Sequence, residues 1–297
     1  MRPHPGGRSR VPSKPRPTVR PKRLGAVLRR LRRNANVSME EAAQRIDGDK
    51  PKISRIENGR MSAKRLEVEA LLELYGVTDA QTVNALTTLS RQTRKKGWWQ
   101  QYSGELDPDF QERLDLEDDA ARIHTYQPLL VPGLLQTPEY AKEVIQRVEK
   151  AATAEEVAKW VDMRMARQEI FKRPTPPQFV CVLDEAVLRR EVGSRGTLAA
   201  QLGRLVEVNS PPELTIQVIP FAQGWHAGLD GAFSVYSYPD PLDLDVVSVD
   251  YLDGALYLEE DASVEKYRRA FDQLRASALS SQQSIDLISR LARDLNS

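Results

Sequence analysis

Residues 38–59 restrict the fold more than any other stretch of the chain, because two short helix-forming segments stand there on either side of a three-residue break. Ser38 precedes Met39-Glu40-Glu41, which sets an N-cap hydroxyl before acids in a first turn, with Glu41 at the capping-box position. That segment reaches about Ile46, where Asp47-Gly48-Asp49 supplies a tight turn. Asp49 is placed to cap the next helix, Lys50 to Asn58. Pro51 falls early in it, where a missing N–H costs little, and Gly59 takes the C′ position. Ala43 is small enough for the two helices to cross closely. The flanks are helical as well. Leu24, Val27, Leu28 and Leu31 recur at three- and four-residue spacing and mark the apolar stripe of a preceding helix. Ser62 is expected to open a fourth helix carrying Leu66, Ala70, Leu71 and Leu74, and 79–96 to form a fifth with Val83, Leu86 and Leu89 inward. The centre of this helical region is a helix-turn-helix.

Charge divides the chain at its end. The 297 residues carry 43 Lys+Arg and 42 Asp+Glu, a formal net charge of +1. Residues 1–96 hold 23 basic and 9 acidic side chains, net +14, and residues 97–297 hold 20 and 33, net −13. An asymmetry of this size points to a basic region that meets nucleic acid or an acidic membrane surface, joined to an acidic body. Residues 1–21 contain six of the 19 prolines and almost no large apolar side chains. They are expected to form a disordered basic, Pro-rich arm, since they bury too little to offset ordering entropy. The arm is either a solvated tail or a segment that lies along phosphates or in a minor groove. The expected organisation is therefore this arm, a helix-turn-helix domain over 22–96, and an α+β domain over 97–297 for regulation, partner binding and dimerisation. The fold class is a mainly α N-terminal domain with a larger α+β C-terminal one.

Other classes are excluded by composition. No apolar run approaches the ~20 residues that span a bilayer, and the N-terminus lacks the ~7–15-residue apolar core of a secretory signal. One cysteine, Cys181, excludes an intramolecular disulfide framework and a multi-thiolate zinc site. His4, His124 and His226 stand far apart, without metal-ligand spacing. The expectation is a cytoplasmic protein with no membrane contact, metal or cofactor.

Helix geometry assigns roles within 50–58. Ile53 and Ile56 lie three apart and face a core, leaving Lys50, Lys52, Ser54 and Arg55 outward or sideways. A recognition helix reads base edges in the major groove from its N-terminal half. Arg55 suits a bidentate contact with guanine O6/N7, worth about 1–3 kcal/mol of discrimination. Lys50 would do the same less rigidly, and Lys52 and Ser54 suit phosphate or mixed contacts. Most charge runs are solvated faces, but this one sits in a helix-turn-helix. The run Lys50-Pro-Lys-Ile-Ser-Arg-Ile-Glu-Asn-Gly59 resembles the phage-repressor-type (XRE/Cro-repressor-like) helix-turn-helix family, whose recognition helix closes in I-S-R-I-E-x-G. The resemblance covers about residues 22–77. It implies double-stranded DNA as partner, phosphate contacts at Asn58 and Arg60, and an approach of Arg65 to the minor groove. It also implies a structural ion pair between the first and third helices, for which Arg32 and Glu57 match the positions. It departs at Met39, where the family commonly has a Gln that helps fix a phosphate and brace the recognition helix.

The acidic body reads as α+β. Helices are expected near 108–122, over Thr137–Glu149 and Ala154–Lys172, near 184–191 and 195–208, and as two terminal helices. The terminal pair would turn Val264, Tyr267, Phe271 and Leu274, then Ile285, Ile288 and Leu291, inward. Extended segments are expected at Tyr126–Val131, Val180–Leu183, 214–219, 232–238, 246–252 and 255–258. Trp98-Trp99, on a charged linker, suits packing or dimerisation better than base stacking. The segments Leu116-Glu117, Val131-Pro-Gly-Leu-Leu-Gln-Thr-Pro-Glu-Tyr140, Arg164–Gln168, Leu183–Leu188, Gln217–Pro220 and Gly231-Ala-Phe233 resemble the actinobacterial regulators that join a repressor-type helix-turn-helix to a C-terminal domain of poorly defined function. That resemblance implies an antitoxin-like transcriptional regulator or repressor whose partner is a small protein encoded by a neighbouring gene, and since a single helix-turn-helix makes too few contacts for useful specificity, a homodimer is expected. A different reading makes the chain a small-molecule-responsive repressor, with a pocket in the Gly224-Trp-His-Ala-Gly228 loop at Trp225 and His226. His226 would otherwise be a loop histidine bonded to backbone. A nucleic-acid-modifying enzyme is the weakest reading. Asp184-Glu185 are mere sequence neighbours, Cys181 is flanked by apolar residues, and Gly193-Ser-Arg-Gly196 lacks the Lys-Ser/Thr of a phosphate-binding loop. No catalytic residue is assigned.

Overall fold

The computed structural model describes residues 19–92, 98–99, 108–238, 245–251 and 254–296. The expected arm up to residue 18, and the basic end of the fifth helix at 93–96, lie outside them. The chain divides into two compact units, one holding the helices through Gln92, the other Trp98, Trp99 and everything from Asp109 on.

The first unit is helical. α1 (Val19–Asn34) begins earlier than the apolar stripe suggests, so residues 19–21 form a first turn rather than the end of an arm. Pro21 is tolerated there because the first amides of a helix have no intrahelical acceptor. In α2 (Met39–Arg45) the capping box is complete. Ser38 Oγ accepts from the Glu41 amide at 3.1 Å, and Glu41 Oε2 accepts from the Ser38 amide at 2.7 Å. α3 (Lys50–Glu57) is capped by Asp49, whose carboxylate accepts from the Lys52 amide at 2.8 Å, and Gly59 ends it at φ +67°. α4 (Arg65–Leu74) departs from expectation. It starts three residues after Ser62, with Lys64 as N-cap residue and Glu67 accepting from the Lys64 amide at 2.6 Å. Its buried side carries Val68, Leu71 and Leu72, and Leu66 is 76 % exposed. α5 (Ala80–Gln92) closes the unit through buried Leu86 and Leu89.

The second unit is built on a sheet of six strands in the order β3-β2-β1-β4-β5-β6. α6 (Pro108–Asp119) stops short of 122, and Arg122–Gln127 is β1 rather than part of a helix. The expected strand at Tyr126–Val131 is displaced because Pro128 can donate nothing to a ladder and disfavours its continuation. β1 pairs in parallel with β2 (Gln178–Asp184) and antiparallel with β4 (Phe233–Ser237), which makes it central, and with Ile123 and Thr125 buried on one face and Tyr126 on the other it shows no clean alternation. α7 (Pro138–Val148) and α8 (Ala154–Arg167) make the crossover from β1 to β2. α8 passes into a 3-10 turn at Gln168–Lys172 instead of continuing as α-helix. α9 (Glu185–Arg189) and α10 (Arg195–Val208) make the crossover to β3 (Leu214–Ile219), again parallel. β5 (Val246–Tyr251) and β6 (Gly254–Leu258) extend the sheet antiparallel.

Pleat separates the faces of this sheet. Tyr126, Val180, Val182, Phe233, Val235 and Val247 form one core with Val264, Phe271 and Leu274 of α11 (Asp261–Ser277). The opposite face carries Ile123, Thr125, Phe179, Cys181, Ser234 and Tyr236. α12 (Ser281–Asn296) packs on α10 and β3, and its buried Ser284 accepts from the Val218 amide at 2.9 Å. The molecule thus combines a helical helix-turn-helix region with a mixed α+β domain.

Candidate nucleic-acid interface

The outer face of α3 is set by what its inner face buries. Ile53 and Ile56 are 1 % and 2 % exposed, which leaves Lys50, Pro51, Arg55 and Asn58 exposed and Ser54 half-buried. Asn58 donates from Nδ2 to the Ser54 carbonyl at 2.7 Å and to Ser54 Oγ at 3.3 Å, so the two side chains fix one another. Arg55 extends into solvent with no ion-pair partner among the described residues, and Arg60, just beyond the helix, is exposed as well. The other cations are engaged. Lys50 Nζ lies 2.7 Å from Glu40 Oε1, both exposed, and Arg65 Nε lies 2.6 Å from Glu69 Oε1 along α4. Lys52 is turned away from the open face. Its Nζ meets Glu67 Oε1 at 2.8 Å in the seam between α3 and α4, where its side chain is 19 % exposed. Met39 stands half-buried at the start of α2.

Two contacts hold α3 at its angle. Arg32 Nε and Nη2 donate to Glu57 Oε1 and Oε2 at 2.6 and 3.0 Å, and both residues are buried. The hydrogen bond to Glu57 raises the Arg32 pKa further. Arg32 Nη1 also donates to the Val37 carbonyl at 2.9 Å, so one guanidinium ties α1, the turn before α2 and the end of α3 together. The second contact has no side chain. A Cβ on Gly25 would stand 2.3 Å from the Ile56 carbonyl oxygen and 2.8 Å from that of Glu57. α1 therefore crosses the end of α3 backbone to backbone.

Sequence reasoning does not find Gly25 or the Glu40–Lys50 clamp. A glycine inside a helical run, disfavoured there by about 1 kcal/mol relative to alanine, was the available signal for the first. The clamp depends on how the turn folds α2 and α3 together and leaves no local trace. It yields a prediction. Glu40 stands exposed in the first turn of α2, and its carboxylate offsets Lys50. Glu40→Gln is therefore expected to tighten DNA binding and steepen its salt dependence, measured by fluorescence anisotropy across a salt series. Unchanged or weaker binding would place Glu40 and Lys50 away from the phosphates.

The body brings other singled-out residues together. His226 is buried, while Trp225 beside it is 77 % exposed. His226 Nδ1 accepts from the Gly228 amide at 3.2 Å, which leaves its proton on Nε2, 3.5 Å from Asp184 Oδ2, and its ring meets Tyr126 edge-on. Both residues border a cavity of about 670 Å³ floored by Phe233, Val249, Tyr267 and Ala270. Asp184 also caps α9 through the Ala186 amide, and buried Glu185 accepts from the Phe221 amide and pairs with Arg189. Cys181 is fully buried, and burial pushes its thiol pKa up. Trp98 and Trp99 stack edge to face at 5.8 Å, with Trp99 buried. Among the described residues no cluster of His, Cys, Asp or Glu has the arrangement to hold a metal ion, and no helix is long and apolar enough to cross a membrane.

No curated protein and no solved structure matches the chain. Two protein families do. Residues 23–85 match a helix-turn-helix domain, which points to a DNA-binding regulator rather than an enzyme. Residues 110–290, more than half of the chain, match a domain of unknown function, DUF5753, so the chain belongs to the DUF5753 family and carries a helix-turn-helix domain ahead of it.

Proposed function

We propose that the chain is a sequence-specific transcriptional regulator of the repressor type, in which α3 enters the major groove. The observation that carries this reading is Arg55, exposed and without an ion-pair partner among the described residues, on a helix whose isoleucines fix its rotation. It is the side chain best able to bond a guanine edge. Lys50 and Ser54 flank it, Asn58, Arg60 and Arg65 reach the phosphates, and Lys52 adds positive charge while bracing α3 through Glu67. One module makes few contacts, so the chain acts as a homodimer on half-sites one helical turn, ~34–36 Å, or a multiple apart. The residues before α1 are the basic arm, those from Val19 to 96 the reader, and 97–297 the dimerising and receiving domain. Its net charge of −13 keeps that domain off phosphate.

The input to the receiving domain is a small partner protein encoded by a neighbouring gene, in an antitoxin-like arrangement. The cavity bordered by Trp225 and His226 favours a second reading, in which a small molecule gives the input. Footprinting across the chain's own promoter, with and without the neighbouring gene's product, tests both. Protection of a symmetric site that the partner relieves or shifts supports the first. Protection indifferent to the partner and changed by metabolites supports the second. No protection sinks the regulatory reading.

A further inference from the structure

A second cavity lies on the face of the sheet opposite Trp225 and His226, and its chemistry is different. It measures about 250 Å³, opens to solvent on one side, and is bordered by α6, α8, the loop before α7 and the sheet strands β1, β2, β4 and β5. Three arginines converge on it. Arg113 pairs with Asp250, and Arg167 makes a bidentate pair with buried Glu117 at 2.6 and 3.0 Å. Arg164 has no such partner. Its Nη1 donates to Gln136 Oε1, a neutral acceptor, at 2.7 Å, and it forms no ion pair among the described residues. Arg113 Nε is buried and finds no acceptor among them. Among the described residues that line the cavity, three guanidinium groups stand against two carboxylates, and Arg164 is the one without an ion-pair partner. Burial, then the neighbouring Arg167 and Arg113, push the Arg164 pKa down to about 10, which still leaves it charged at neutral pH. A charge held partly out of water without a counter-charge is destabilising until an anion joins it.

The remaining walls are mixed, with Phe110, Ile123, Leu134 and Phe179 beside polar side chains that are already braced. Thr125 and Ser234 hydroxyls meet at 2.9 Å, and Gln127 donates to Thr125 Oγ1 at 3.0 Å. Gln136 is held by the Val131 carbonyl at 2.7 Å and by Gln168, which donates to the Gln136 carbonyl at 2.7 Å. Gly133 keeps the space open, since a Cβ there would stand 3.3 Å from Arg167 Nη1 and 3.8 Å from Arg164 Cδ. Glu117, Val131–Leu134 with Gln136, and Arg164 with Arg167 thus meet around one pocket. Donors fixed before a ligand arrives lose little entropy when they bind it.

We propose that this cavity is a binding site for a small anion, a carboxylate- or phosphoryl-bearing molecule held between Arg164, Arg167 and Arg113. Its volume falls below the ~300–1,000 Å³ of sites for drug-sized ligands. The site is distinct from the cavity at Trp225 and does not depend on the DNA-binding reading. The test is thermal unfolding and calorimetry of the full-length chain with sodium phosphate and with sodium succinate, against sodium chloride at equal ionic strength. The expected result is a saturable rise in Tm. Phosphate alone would assign a phosphoryl ligand and succinate alone a carboxylate, and either supports the site. Arg164→Met is expected to weaken the response by about tenfold or more, and to unfold no earlier than wild type without anion, because it removes an uncompensated charge. Gln127→Glu supplies a negative charge from within the cavity and is expected to abolish the response also, which keeps the test alive if the first variant does not fold. Arg55→Ala should leave the response unchanged, which separates this site from any anion bound at the DNA-reading helix. No saturable rise with either anion, or an undiminished rise in the cavity variants, would overturn the proposal.

Discussion

Glu57→Ala is expected to unfold the helix-turn-helix unit rather than alter what it reads. Glu57 lies on the recognition helix but faces inward, and both its oxygens are taken by Arg32. Removing it strands a buried guanidinium that still holds the Val37 carbonyl but has no second ion-pair partner among the described residues, Glu40 acting on it only from a distance. Breaking one partner of a buried ion pair costs about 3–5 kcal/mol, against a total stability of about 5–15 kcal/mol for an ordinary domain. Circular dichroism on urea titration should show the helical signal of residues 19–92 lost at markedly lower denaturant. Replacing both partners, Arg32→Met with Glu57→Leu, should recover much of the loss, because no charge is then left buried. Wild-type stability in the single variant would mean that the pair is solvated and that Glu57 belongs to the outer face.

Gly25→Ala should destabilise the same unit, against the local expectation. Inside a helix this change ordinarily stabilises by about 0.5–1 kcal/mol. Here the added Cβ would press on two backbone carbonyls of α3, at 2.3 and 2.8 Å, and backbone cannot rotate aside as a side chain does. α1 must move outward, and that movement draws Arg32 away from Glu57. Overpacking of this kind costs about 1–3 kcal/mol and more where nothing yields. The two variants share one seam, so their losses should not add. A Gly25→Ala protein with unchanged or raised Tm would show that α1 and α3 are further apart than described.

What could be read from sequence followed local chemistry. The caps Ser38, Asp49, Thr137 and Thr153, the prolines at 51 and 138, and the period of Ile53 and Ile56 all act within one turn, so they predict the helices they begin. Errors arose where tertiary pairing decided. Arg122–Gln127 became a central strand because β2 and β4 flank it, although its apolar pattern continues from the preceding helix. Leu66 reads as core by its residue type, but α4 buries the side carrying Val68, Leu71 and Leu72, and Leu66 falls outside it. Lys52 was legible as a cation, but its turn toward Glu67 depends on where α4 lies. The arginine pocket was not legible as a pocket. Its residues come from α6, α8, the loop before α7 and the sheet, and only the fold gathers them, with the sheet's register setting Thr125 beside Ser234.

The central claim is that α3 reads DNA sequence through Arg55. Selection of binding sites from random duplex DNA by the full-length chain, repeated with Arg55→Ala, tests it most directly. The account predicts a symmetric enriched motif for the wild type. In the variant, preference for guanine at one position per half-site should disappear, with a loss of about 1–3 kcal/mol at that position and little change in salt slope. No enriched sequence for the folded wild type, or an identical motif and affinity in the variant, would contradict it.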